Sequence, residues 1–249
     1  EEIVPLKAGA WQNYILGVIQ QIRLSGHEIG GFNMVFSGDI PQGAGMSSSA
    51  ALECGTCYAL NELWGLDLVS TEMIKMSQMA EHQYAGVKCG IMDQFASMMG
   101  RAGKAILLDC RSLDYDYGPV SLDKYSLVLI NSNVSHSLAD SAYNRRREEC
   151  EEGTHALQKV STEISSLRDA TMDQLEKIKA EVGEVVYRRC KYVIEENVRV
   201  KQFYEAMKEN NAEAIGSLLK AAQRGMREEY EITCPEIDFL ADQSNRMDG

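Results

Sequence analysis

The chain has 249 residues, 45% of them hydrophobic and 25% charged, and a formal net charge of −12. This is the balance of a globular protein with one large domain or two small ones. It lacks the clustered Lys and Arg of a nucleic-acid surface, and no run of eighteen apolar residues offers a membrane span.

An anionic ligand must therefore be held locally, by backbone N–H groups, a metal or a few placed cations. The start, "EEIVPLKAG", has neither the basic head nor the apolar core of a signal peptide. Seven cysteines at scattered spacing predict a reduced, intracellular chain. Cys54 and Cys57 form a lone C-x-x-C inside a helical pattern, which reads as packing, with a redox or metal module as the rival.

Apolar residues Trp11, Ile15, Val18, Ile19 and Ile22 recur at helical spacing and predict a helix over 10–24. "SGHEIGG" breaks it, and "FNMVFSGDI", 32–40, alternates like a half-buried strand. A Gly/Ser loop follows, then a helix over 47–64 and another over 70–84 with Ser70 or Thr71 as its N-cap. "GVKCGIMDQFASMMG", 86–100, reads as a loop feeding a short helix, and 104–109 and 125–132 read as strands. Beyond 136 the pattern turns helical, with long amphipathic segments over 180–210 and 212–230. The change near 117–124 predicts a boundary between domains 1–120 and 121–249. The order of elements is not the regular alternation of a doubly wound sheet, so the fold class is α+β.

Three clusters carry chemistry. In "PQGAGMSSSAALECG" the glycines let the backbone approach a ligand closely, at the mouth of a helix whose first N–H groups lack internal partners. Phosphate is one reading and a flexible three-serine N-cap the other. The Walker, dinucleotide-binding and nucleophile-elbow patterns all fail here. In "AEHQYAGVKCGIMDQFASMMG", Glu81 closes a helix and Asp93 opens the next. Each can be a cap, or one can hold Mg²⁺ while the other meets a hydroxyl. In "INSNVSHSLADSAYNRRREECE", His136 reads as a turn or helix-start residue, and Tyr143 packs or offers its hydroxyl. Arg145, Arg146 and Arg147 read as a solvated face paired with Glu148, Glu149, Glu151 and Glu152.

Taken in this order, the clusters resemble the galactokinases of the GHMP small-molecule kinase superfamily. "DIPQGAGMSSSAALE" is similar to the superfamily's phosphate loop, P-x-x-x-G-L/M-S-S-S-A, with Met46 where Leu is commoner. "EHQYAGVKCGIMDQFAS" resembles the galactokinase stretch that carries the catalytic Asp. "LLDCRSL", the Tyr143 cluster and, more loosely, "REEYEITCPEIDFL" extend the resemblance over nearly the whole chain.

The resemblance implies a two-domain GHMP kinase fold: a ribosomal-S5-like N-terminal domain and a ferredoxin-like, helical C-terminal domain on a sheet, with the active site between them. It implies that Gly43, Ala44, Gly45, Met46, Ser47, Ser48 and Ser49 wrap the phosphates of ATP, with Ser49 and Glu81 at Mg²⁺. It implies Asp93 as the catalytic base at the sugar C1 hydroxyl, with Gly90, Asp93 and Tyr143 against the sugar. The implied reaction is phosphorylation of α-D-galactose by a cytoplasmic monomer that binds neither nucleic acid nor membrane. A kinase for N-acetylgalactosamine or galacturonate, and a non-catalytic sugar and ATP sensor, are the alternatives; the complete "GMSSSAA" favours the enzyme. Two family motifs have no counterpart in the chain: the G-R-x-N-x-x-G-E-H-x-D-Y motif and a Gly-rich G-G-G-F-G-G motif. Their absence predicts a fold truncated at both ends.

Overall fold

The computed structural model describes residues 3–120, 125–134 and 139–247. The chain divides into two compact units, Glu1–Val120 and Ser121–Gly249. His136 and residues 121–124 of the expected boundary lie outside the described residues.

Among the described residues, the first unit packs four α-helices and one hairpin. Helix α1 (Gln12–Leu24) contributes Val18 and Ile22 to the core. Helix α2 (Ser48–Trp64) adds Cys57 and Leu60, and α3 (Ser70–Ala80) adds Met73 and Ala80. The closest approach is at Gly17. A Cβ there would lie 2.8 Å from Ala80 Cβ and 2.9 Å from Ala80 Cα, so only glycine lets α1 meet the end of α3. At that contact α3 passes into a π turn, Glu81–Ala85, which closes on the left-handed Gly86. Such one-residue insertions re-aim the side chains they carry. Helix α4 (Met92–Met99) buries Phe95 beside Ile74 and seats the hairpin residues Ile106 and Leu108. Strands β1 (Lys104–Leu108) and β2 (Tyr115–Pro119) pair antiparallel, with Lys104 opposite Pro119 and Leu108 opposite Tyr115. The hairpin turn is held by Asp109, whose Oδ1 accepts from the N–H groups of Arg111 at 2.8 Å and Ser112 at 3.2 Å.

The second unit is helical. Helix α5 (Ala139–Val160) packs on α6 (Met172–Lys208), which is two helical stretches joined across a kink at the non-helical Gly183, and α7 (Ala212–Gly225) and α8 (Pro235–Ser244) follow. Leu157, Leu175, Ile178, Val186 and Cys190 form its core. Thr171 and Gln174 cap α6 reciprocally: Gln174 N–H donates to Thr171 Oγ1 at 3.3 Å, and Thr171 N–H to Gln174 Oε1 at 2.9 Å. A π turn, Met226–Tyr230, ends α7. The buried Arg189 ties these pieces together. It donates to Glu149 at 3.2 Å, to Glu231 at 2.6 Å and to the Glu229 carbonyl.

Several expectations need correction. Residues 32–40 and 125–132 form no strand. In the first segment the alternation survives as packing: Phe32 and Met34 turn to the core while Val35 is 99% exposed. In the second, Leu127, Val128, Leu129 and Ile130 are all exposed. Apolar alternation makes a strand only where a neighbouring strand supplies the ladder. The N-cap of α3 is Val69, whose N–H donates to Glu72 Oε2 at 2.9 Å, ahead of the expected Ser70 or Thr71. Of the three arginines read as a solvated face, Arg145 and Arg147 fit that description, but Arg146 is buried against Glu149.

Candidate functional site

The loop before α2 reverses handedness three times. Gly43, Gly45 and Ser47 take φ of 68°, 72° and 56°, while Ala44 and Met46 stay on the ordinary side. A chain that alternates in this way turns successive N–H groups into one concavity, a form suited to anions. Ser47 is the non-glycine member and stands at the N-cap of α2 without a side-chain cap bond. A left-handed serine costs about 1 kcal/mol relative to an ordinary backbone, which the rest of the loop must overcome. The first-turn N–H groups of α2, which directly follow this loop, have no helix-interior carbonyl to serve them.

One turn into α2, Ser49 meets the π turn: its Oγ donates to Glu81 Oε1 at 3.2 Å. Glu81 is buried, and three elements converge on it. Gln94 of α4 donates from Nε2 to Glu81 Oε2 at 2.8 Å, and the Cys89 thiol donates to the same oxygen at 3.5 Å. Burial pushes the Glu81 carboxyl above its usual range, and the charge of Asp93 pushes it the same way. The 86–90 loop that carries Cys89 is pinned from behind. Its Cys89 carbonyl accepts from His82 Nε2 at 2.8 Å and from Gln78 Nε2 at 3.2 Å. The Cys89 thiol is driven to about 12 by burial and then by Glu81, so it stays protonated at neutral pH.

Asp93 sits half-buried in the first turn of α4, next to the fully buried Gln94. Gly90 is exposed, and a Cβ built on it would meet nothing within 4 Å. The structure thus gathers Ser49, Glu81 and the Gly43–Ser49 loop at one place and brings the charge of Asp93 to bear on Glu81. Tyr143 belongs to α5 of the second unit and is 38% exposed. Cys54 and Cys57 lie in the core, their thiols raised by burial to about 11 and about 12, which removes the basis for a redox pair. A cavity of about 480 Å³ opens along α5 and α6, lined by Glu148, Glu152, His155, Lys159 and Glu181. It contains none of the sequence-predicted site residues.

Two residues of the site escaped the sequence reading. Glu53 is wholly buried, and its Oε2 accepts from Gln94 Nε2 at 3.2 Å. Burial, then the Glu81 carboxylate, raises its carboxyl from 4.5 to about 9, so it holds its proton at neutral pH. The second is Gln94 itself. Glu53 lies four residues after Ser49, one turn along the same helix face. An acid in helical register with the core-facing Cys57 and Leu60 was the available signal.

The donor set beside the loop is a hydroxyl and a carboxylate, hard oxygen ligands that suit Mg²⁺. Among the described residues no three His, Cys, Asp or Glu converge as a cage. Mg²⁺ that arrives on a triphosphate asks for only one or two protein oxygens. One buried oxygen next to the pair, Gln94 Oε1, has no hydrogen-bond partner among the described residues. Ser49 and Glu81 therefore fit the ion.

Residues 13–101 match the family model of the GHMP kinases N-terminal domain. The chain is 42% identical to galactokinase of Exiguobacterium sibiricum over 97% of its own length and 62% of that protein's. It is 39% identical to galactokinase of Thermotoga maritima, over 98% of the chain and 67% of the relative. The crystal structure of Lactococcus lactis galactokinase complexed with galactose superposes with a TM-score of 0.94 at 33% identity, covering all of this chain and 64% of that one. The chain thus spans about two thirds of the length of the relatives it matches. With a helix-rich α+β fold, a GHMP N-terminal domain and this level of identity to curated relatives, the chain belongs to the galactokinase family.

Proposed function

We propose that the protein carrying this chain is a galactokinase, transferring the γ-phosphoryl group of ATP to the C1 hydroxyl of α-D-galactose. The observation that carries the reading is the joining of the alternating Gly43–Ser49 loop to the Ser49–Glu81 pair, with Asp93 at the head of the neighbouring helix. The identity to galactokinases and the likeness to a galactose complex support the same substrate.

The backbone of Gly43, Ala44, Gly45, Met46, Ser47, Ser48 and Ser49 cradles the phosphates, and Ser49 and Glu81 hold Mg²⁺. The ion supplies charge neutralisation at the transferring phosphoryl group. Glu81 would serve this role as a carboxylate, the form that ligates a hard cation. Asp93 accepts the C1 hydroxyl proton. An alcohol is far less acidic than a carboxylic acid, so that proton moves late in the transfer and Asp93 first acts by orientation. Gly90, with open space where a side chain would stand, lets the sugar approach the backbone. Tyr143 offers its hydroxyl to the sugar. Residues 1–120 act as the remainder of the ATP-binding domain and 121–249 as part of the C-terminal GHMP domain. Seven free thiols accord with a reducing cytoplasm, where the enzyme works as a monomer.

The test is ADP release by the whole protein with Mg²⁺-ATP and galactose, N-acetylgalactosamine, galacturonate or glucose in turn. Galactose-dependent release, with the other sugars at least tenfold slower, is expected. A stronger response to another sugar moves the substrate. Galactose binding without ADP release from any sugar replaces the kinase with a sensor.

A further inference from the structure

Gln94 is the best-tethered side chain near the loop, and nothing in the proposed chemistry yet uses it. It is wholly buried on the first turns of α4, and its Nε2 reaches two acids at once: Glu81 Oε2 at 2.8 Å and Glu53 Oε2 at 3.2 Å. Its Oε1 meets no partner among the described residues. A buried amide left half-satisfied is costly unless its other half is needed where it is. Glu81 needs such a support. It stands on a π turn, where Ser49 meets it from one side and Gln94, the weak Cys89 thiol and the protonated Glu53 carboxyl from the other, and the Gln94 bond, at 2.8 Å, is shorter than those from Ser49 and Cys89. Glu53 anchors the amide from α2, the helix that also carries Ser49.

We propose that Gln94, anchored by Glu53, is a positioning residue that holds Glu81 facing Ser49 and so presets the cation site before nucleotide binds. The inference rests on the kinase reading for the identity of the ion. α4 would then carry two linked duties: Asp93 toward the acceptor hydroxyl, and Gln94 toward the carboxylate on the metal side. Partners that orient a ligating carboxylate are worth roughly 10- to 100-fold in metal affinity.

The experiment uses the whole protein and Gln94→Met, which keeps the volume and removes both N–H donors. Mn²⁺ binding with ATP and no sugar is followed by electron paramagnetic resonance, and Mg²⁺ titrations of turnover are run alongside. Leu60→Ala, a core truncation that removes none of these hydrogen bonds, controls for lost stability. Gln94→Met is expected to weaken Mn²⁺ binding at least tenfold and raise the Mg²⁺ half-saturation to match, with the galactose KM within twofold. Leu60→Ala is expected to leave both metal readouts unchanged. A Mn²⁺ affinity within twofold of the parent, or an equal loss in Leu60→Ala, overturns the proposal. A parent that binds Mn²⁺-ATP through Gln94 but phosphorylates no sugar refutes the kinase reading and leaves this inference standing.

Discussion

Replacing Glu53 by Gln tests the electrostatics behind the site. The folded protein holds the Glu53 carboxyl near 9, against 4.5 for an ordinary glutamate, because burial and then Glu81 penalise the charged form. A raised folded value means that the folded state binds the extra proton. Stability from this group is fully present below pH 4.5 and drains away as pH rises toward 9. Each pH step in that window is worth about 1.4 kcal/mol. Between pH 5.5 and 8.5 the parent therefore loses about 4 kcal/mol through Glu53 alone. Glutamine has no proton to lose and keeps an oxygen to accept from Gln94. Urea unfolding in EDTA at the two pH values gives the comparison. Glu53→Gln should gain about 4 kcal/mol over the parent at pH 8.5 relative to its difference at pH 5.5, with the same denaturant slope. A difference constant to within about 1 kcal/mol across this range would mean that Glu53 is already ionised in the fold, and the argument from burial would fail.

Two further outcomes follow from the geometry. Ser49→Ala removes the hydroxyl that bonds Glu81 at 3.2 Å; the Mg²⁺ concentration for half-maximal rate should rise about tenfold, as read by a metal titration at fixed ATP. Arg189→Met leaves Glu149 and Glu231 without their shared guanidinium; unfolding should be easier by about 3–5 kcal/mol at neutral pH. Burial would push Glu149 upward, but Arg146 and Arg189 hold it below its usual value, so the parent's advantage should shrink as pH falls through that lowered value. Melting curves at pH 7 and pH 4 check both statements.

The helices were legible because their apolar residues recur at the right period: Val18 and Ile22 on α1 and Leu60 on α2 all point to the core that the spacing anticipates, whereas α6 begins at Met172, ahead of the expected 180. The loop was legible for a different reason. Gly43 and Gly45 stand where the backbone needs positive φ, and glycine is the residue that takes it freely. Residues 32–40 form no strand because alternation reports which side chains turn inward, as with Phe32 and Met34, and residues 125–132 form none because an apolar run, here exposed from Leu127 to Ile130, makes a strand only beside a hydrogen-bonding neighbour. The π turn at Glu81–Ala85 has no composition of its own, so "EHQYA" looked like the end of an ordinary helix. Gln94 was invisible because its meaning lies in two partners from two other elements, 41 and 13 residues away. Arg146 was misplaced because the pairing pattern of "NRRREECEE" is the same on a wet face as on a buried one.

The most direct test of the central claim is the product of the whole protein with Mg²⁺-ATP and galactose, followed by ³¹P NMR in the parent and in Asp93→Asn, with ATP binding measured on both. The account predicts galactose 1-phosphate from the parent, a kcat for Asp93→Asn lower by about 10²- to 10⁴-fold, and ATP affinity within twofold. Galactose 1-phosphate formed at a near-normal rate by Asp93→Asn would contradict it.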